Sequence, residues 1–156
     1  MPKLGINSKA YYRSTGNFGT PTWTEMSGFG DMAVNAAWDV ADAATRASRV
    51  KSEAKTQLGL EVTGRLRSED ANAVYNAVMD AFLSPTSNID IMVLDGSSST
   101  NGSRGFRYEA IVKQANQPQG LQDSLFQEVS FTPDAFSGNN YQSVLVTAGS
   151  PAFTNL

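Results

Sequence analysis

Two residue types that dominate enzyme active sites, cysteine and histidine, are missing from this chain. Without cysteine there is no disulfide, no thiolate nucleophile and no cysteine-ligated metal. Without histidine the chain lacks the commonest general base and the commonest metal ligand. Together the two absences exclude Ser-His-Asp and Cys-His catalysis and the usual zinc sites. We therefore predict no catalytic, cofactor-binding or metal-binding residues, and a protein that is not an enzyme.

Long hydrophobic runs and an excess of positive charge are also missing. No stretch approaches the roughly 20 apolar residues of a membrane span, and the first ten residues hold no apolar run of signal-peptide length. We therefore expect synthesis and folding in the cytoplasm. The 156 residues carry 12 basic and 15 acidic side chains, and this net charge of −3 gives no overall footprint for nucleic-acid binding. Hydrophobic residues make up 40% of the chain, so we predict one globular domain over residues 1–156.

Short alternating segments separated by turn residues predict about eight β-strands. The clearest alternation starts at Gln57, where three apolar residues from Leu58 to Val62 fall on one face of a strand and polar residues on the other. We predict strands at residues 9–13, 22–26, 32–38, 57–66, 88–95, 106–113, 124–131 and 141–147. The polar strand positions that we interpret as solvated are Glu61, Thr63, Arg65, Glu109 and Glu128.

One segment, residues 68–85, predicts a helix. Ser68 or Asp70 can cap its start, apolar residues then recur at helical spacing, and Pro85 ends it. A single amphipathic helix in a strand-rich chain is expected to cover one face of a sheet. The fold class that we predict is therefore mainly β with one flanking α-helix.

A basic segment lies in mid-chain, before the strand that starts at Gln57. Residues 46–55 hold four of the twelve basic side chains and one acid. Its few apolar residues would bury little area, so we interpret residues 40–56 as a long, exposed, charged loop with some helical tendency. Nucleic-acid binding, a solvated loop and contact with an acidic surface of another copy all remain open. The candidate contact residues are Arg46, Arg49, Lys51, Glu53 and Lys55.

Two glycine-containing segments resemble nucleotide-binding motifs only superficially. The segment "GSSSTNGSRGF" lacks the lysine spacing and the following helix of a phosphate-binding loop. The segment "GFGD" lacks the third glycine of a dinucleotide fingerprint. We interpret both as turns.

The order of the predicted segments resembles the major tail tube proteins of long-tailed bacteriophages. The matching segments are "KAYYR", "PTWTEM", "MAVNAAW", a charged loop, "LGLEVTGRLRSEDANAVYNAVMDAFLS", "IDIMVLDG", "GFRYEAIVK" and "SLFQEVSFTPDAF". The resemblance implies two packed antiparallel sheets, as a β-sandwich or barrel, with a flanking helix. It also implies hexameric rings that stack into a tube for DNA. Some members carry a C-terminal immunoglobulin-like domain, for which we expect no room in 156 residues.

The resemblance also implies partners and roles for the candidate residues. The partners are other copies of the chain, tape measure, tail terminator and baseplate or tip proteins, with DNA passing non-specifically through the lumen. The protein would lie in the virion tail after assembly in the host bacterial cytoplasm. The basic segment would contact the neighbouring ring, and the solvated strand faces would line the channel or a subunit interface. A head–tail joining or tail terminator protein and a stand-alone β-barrel binding module are the alternatives.

Overall fold

The computed structural model describes residues 5, 8–47, 50–117, 125–139 and 141–156, which form nine strands and one helix. The strands are β1 (Lys9–Gly16), β2 (Pro21–Glu25), β3 (Phe29–Asp42), β4 (Glu53–Arg67), β5 (Ile89–Leu94), β6 (Arg104–Asn116), β7 (Phe126–Pro133), β8 (Gln142–Thr147) and β9 (Ser150–Asn155). Helix α1 (Ala73–Leu83) lies between β4 and β5. The predicted class, mainly β with one helix, is confirmed.

All strand pairs are antiparallel, and the nine strands belong to one sheet. The order is β2-β1-β5-β6-β7-β4-β3, with β8 pairing to β6 and β9 to β8. One buried cluster contains Ala10 and Tyr12 from β1 together with Leu60 and Val62 from β4, although three strands separate β1 from β4 in the sheet. The sheet must therefore curl around its core. The expected pair of separate packed sheets is not confirmed, because these strands form one continuous curled sheet.

Strand β5 is the centre of the fold because both of its faces are covered. All six of its residues are buried. Ile91 and Val93 belong to the main core inside the curl, whereas Met92 and Leu94 belong to a second cluster on the opposite face. The hairpin of β8 and β9 covers this second cluster with side chains such as Val144. Burial on both faces explains why every residue of this strand except Asp90 is apolar.

Helix α1 is shorter than the predicted 68–85 segment. It begins after Asn72, whose side-chain oxygen accepts a hydrogen bond from the backbone N–H of Val74 at 2.9 Å. Asn72 therefore caps the helix in place of the predicted Ser68 or Asp70. Val74 and Val78 bury the apolar side of the helix in the main core.

Candidate assembly surfaces

The longest hairpin of the fold extends beyond the rest of the sheet. Strands β3 and β4 pair from Phe29↔Leu66 to Asp42↔Glu53, but β4 pairs with β7 only from Val62 to Arg67. We call residues 35–59 the arm. Every described residue of the arm is exposed except Leu58, which is half-buried. A two-stranded hairpin alone is marginally stable in water, so a surface this exposed is suited to being covered by a partner.

The arm corrects the prediction of a charged loop over residues 40–56. Val40 pairs with Lys55, and Asp42 pairs with Glu53, so both ends of the predicted loop are strand. Only residues 43–52 lie outside the two strands, and the backbone N–H of Ala43 bonds to the carbonyl of Ser52 at 3.0 Å. The helical tendency inferred from composition was wrong, because cross-strand pairing outweighs the weak intrinsic preference of each residue.

The candidate contact charges lie at the tip of the arm. Arg46 is exposed in the turn, and Lys51 pairs with Glu53 at 3.2 Å. The Lys55 ammonium lies 5.3 Å from the ring centroid of Trp38. Such exposed pairs contribute only about 0–1 kcal/mol, so they leave these cations available to a partner. The fifth candidate, Arg49, lies outside the described residues.

An apolar, uncovered face runs along the arm and the residue before it, Val34. Val34, Trp38 and Val40 point to the same side as Leu58, which is opposite Trp38 in the register. Their exposed fractions are 40% for Val34, 46% for Trp38 and 52% for Val40. The face continues from the main core, since Val34 is directly opposite the buried Val62. A continuous apolar strip of this kind marks an interaction surface.

A second surface is polar and spans strands β4 and β7. Thr63 is opposite Ser130, and Arg65 is opposite Glu128. Ser130 Oγ donates a hydrogen bond of 2.5 Å to Glu61 Oε1. We call these five residues the polar wall. Arg65 and Glu128 are exposed and Glu61 and Thr63 are half-buried, so four of the five candidate strand positions lie on a solvated face. Three of them belong to the alternation that starts at Gln57, and Glu128 belongs to the predicted strand at residues 124–131.

Glu109, the remaining strand candidate, does not lie on a solvated face. It is 6% exposed, and its Oε1 lies 3.1 Å from Arg13 Nη2. Arg13 also approaches Asp90, with 3.6 Å between Nε and Oδ2. The prediction was wrong because alternation shows which residues share a face, and not whether another part of the chain covers it.

The same face of β6 buries Arg107, which the sequence analysis did not select. Its Nη2 donates to Asp90 Oδ2 at 2.8 Å, and its guanidinium lies 3.8 Å from the ring of Phe18, 5.0 Å from Trp23 and 4.7 Å from Phe153. Burial raises the pKa of the Asp90 carboxyl above its ordinary value, while the hydrogen bond from Arg107 acts in the opposite direction. Through Trp23 and Phe153, these contacts join β2 and β9 to β6 in the middle of the sheet. A signal existed in the sequence, since an acid inside the apolar run of β5 requires a buried partner.

Metal-binding clusters and membrane-spanning helices are both absent from the described residues. None of them form a group of three or more acidic side chains that could hold a metal ion. No helix among them is long and apolar enough to cross a membrane. The prominent features of the described surface are therefore the arm and the polar wall, both suited to contacts with macromolecules.

Comparison with known proteins identifies the fold. No family model and no curated protein matches the chain. Several solved structures match the chain. The tail of an empty GTA particle, determined with C6 symmetry, has a TM-score of 0.67 and 10% sequence identity, and the match covers 98% of this chain and 99% of that one. The SPP1 tail tube gives 0.68 at 10% identity, over 99% of this chain and 80% of that one. The virion of the native gene transfer agent gives 0.62 at 9% identity, over 98% and 99%. The chain shares its fold with these structures.

Proposed function

We propose that this chain is a structural subunit of a phage-type tail tube, in which stacked rings enclose a channel for DNA. The observation that carries the proposal is the match of nearly the whole chain to subunits of assembled tails, one of which has C6 symmetry. On this proposal the rings are hexameric, the protein is not an enzyme, and it lies in the virion tail after assembly in the host cytoplasm. Tape measure, tail terminator and baseplate proteins would be its further partners.

The polar wall is the surface that we assign to the lumen. A channel for DNA needs a hydrated face without a strong excess of positive charge. Cationic side chains that contact the phosphates would release counterions from the DNA, and this release would bind the DNA to the wall. The wall carries two acids, Glu61 and Glu128, and one base, Arg65. Its balance of charge lets a polyanion pass without being held. Glu109 has no part in this role because it is buried with Arg13.

The arm is the surface that we assign to contacts between subunits. Its tip carries Arg46, Lys51 and Lys55, which are exposed and form at most weak contacts in the single chain. Long, flexible cations of this kind suit an acidic surface on a neighbouring ring. The apolar face beside them supplies area that only a partner can bury.

The absence of cysteine gives a direct test of the lumen assignment. In a Glu128→Cys variant, a small maleimide should label the thiol in both free and assembled protein. A maleimide on a long polyethylene glycol chain should label only the free subunit, because the polymer cannot enter the tube. Equal labelling of tubes by both reagents would place Glu128 on the outside. Protection from both would place it within a subunit interface, and either result would contradict the assignment.

A further inference from the structure

The main core of the chain is open on one side. A groove of about 900 Å³ lies between the start of β3 and the ends of β1, β5 and β6. Its apolar lining includes Met26, Phe29, Met32, Val34 and Phe106, and Phe29, Met32 and Phe106 also pack against the buried core. The groove is therefore the unclosed flank of the curled sheet, where β3 faces β1, β5 and β6 without pairing to them.

The apolar face near the arm tip lies too far from this groove to fill it within one chain. Gly30 lies on the groove and Val40 on the arm, at opposite ends of the same strand β3. Ten residues of a strand span about 33 Å. The groove and the Trp38–Val40 face are thus two exposed apolar surfaces at opposite ends of strand β3, with Val34 between them.

We infer that the Trp38–Val40 face of one copy fills the groove of the next copy. This inference rests on the proposed function, because a second copy is the partner that a tube supplies. The Lys55 ammonium lies over the Trp38 ring and would enter the groove together with Trp38. Asp31, which is exposed on the groove, would give Lys55 a counter-charge. A protruding face that fits a distant groove makes a heterologous contact, which propagates from copy to copy into rings or filaments.

Two engineered cysteines test this contact. A Cβ at Gly30 would meet only the carbonyl oxygen of Arg65, at 3.9 Å, so Gly30→Cys fits the fold. Val40→Cys replaces a side chain that is 52% exposed. A disulfide requires Cα atoms about 4.4–6.8 Å apart, so these two positions cannot be joined within one chain. Under mild oxidation, assembled double-variant protein should form a ladder of covalent oligomers. A mixture of the two single variants should give dimers only.

The controls separate this inference from the proposed function. Each single variant alone should stay monomeric on a denaturing gel, and Phe136→Cys, at a position that is 96% exposed, should not form a ladder with Gly30→Cys. Melting curves verify that each variant folds. Tubes in the electron microscope without a ladder would overturn the inference and leave the proposed function standing. Dimers of Val40→Cys alone would also overturn it, because they indicate a self-complementary contact. Failure of the unmodified chain to form rings or tubes would overturn the proposed function.

Discussion

Replacing Trp38 by alanine should weaken assembly far more than it weakens the subunit. Trp38 is 46% exposed in the single chain, and a tryptophan side chain can bury about 250 Å². Covering the exposed part therefore removes about 115 Å² from water, which at about 25 cal/mol per Å² stabilises each contact by about 3 kcal/mol. This free energy corresponds to about a 100-fold change in the association constant. Within the subunit, Trp38 faces Leu58 and contacts Lys55 only within the exposed arm. Local opening of the arm does not require unfolding of the core, so the loss of these contacts changes the global melting little.

The assay is a concentration series followed by light scattering, with a melting curve of each variant. The Trp38→Ala protein should assemble only at about 100 times the concentration that the unmodified chain needs, with nearly unchanged melting. Phe136→Ala is the matched control, because Phe136 is 96% exposed and lies outside the arm. Assembly of Trp38→Ala at the unmodified concentration would refute the role of the arm. An equal defect in Phe136→Ala would show that loss of any exposed aromatic side chain has this effect.

Three further predictions follow from the buried cluster and the charged surfaces. Asp90→Asn should destabilise the subunit by about 3–5 kcal/mol in denaturant titrations, because it leaves Arg107 buried without its counter-charge. The control, Arg104→Met at the exposed end of β6, should change stability by about 0.5 kcal/mol or less. Equal effects of the two substitutions would contradict the assigned role of the buried cluster. Glu109→Lys should lower the melting temperature strongly because it places a cation beside Arg13, while Glu128→Lys should leave the melting temperature nearly unchanged; the reverse order would refute the burial of Glu109. Changing the arm-tip cations to serine should slow tube growth but not alter melting, and 1 M salt should slow the unmodified chain similarly because the Debye length falls to about 3 Å; normal growth would remove their stacking role. The cations changed in that variant are Arg46, Lys51 and Lys55.

Much of the fold could be predicted from local pattern because most elements are specified locally. Each of the eight predicted strands corresponds to an observed strand, and the helix differs only at its ends. Strand β9 was missed because its sequence, "SPAFTN", contains Pro151 and has little alternation. It forms because it pairs along β8, a contact that local sequence does not show.

The candidate surfaces were predictable to different degrees. Alternation located the residues of the polar wall, since Glu61, Thr63 and Arg65 follow the period of β4. The outer parts of the two arm strands, residues 39–42 and 53–56, were missed because alanine, lysine and glutamate favour helix and their cross-strand partners lie across the turn. The burial of Glu109 and Arg107 depends on contacts with Arg13, Asp90 and the aromatic rings from other strands. Long-range contacts of this kind leave no periodic signal in one segment.

The most direct test of the account is electron cryomicroscopy of the purified chain at a concentration high enough for assembly. The account predicts tubes of stacked rings with sixfold symmetry, in which the polar wall with Glu61, Arg65 and Glu128 faces the lumen and each arm contacts another subunit. A chain that remains monomeric at millimolar concentration would contradict the proposed function. Tubes in which the polar wall faces outward would contradict the assignment of the channel.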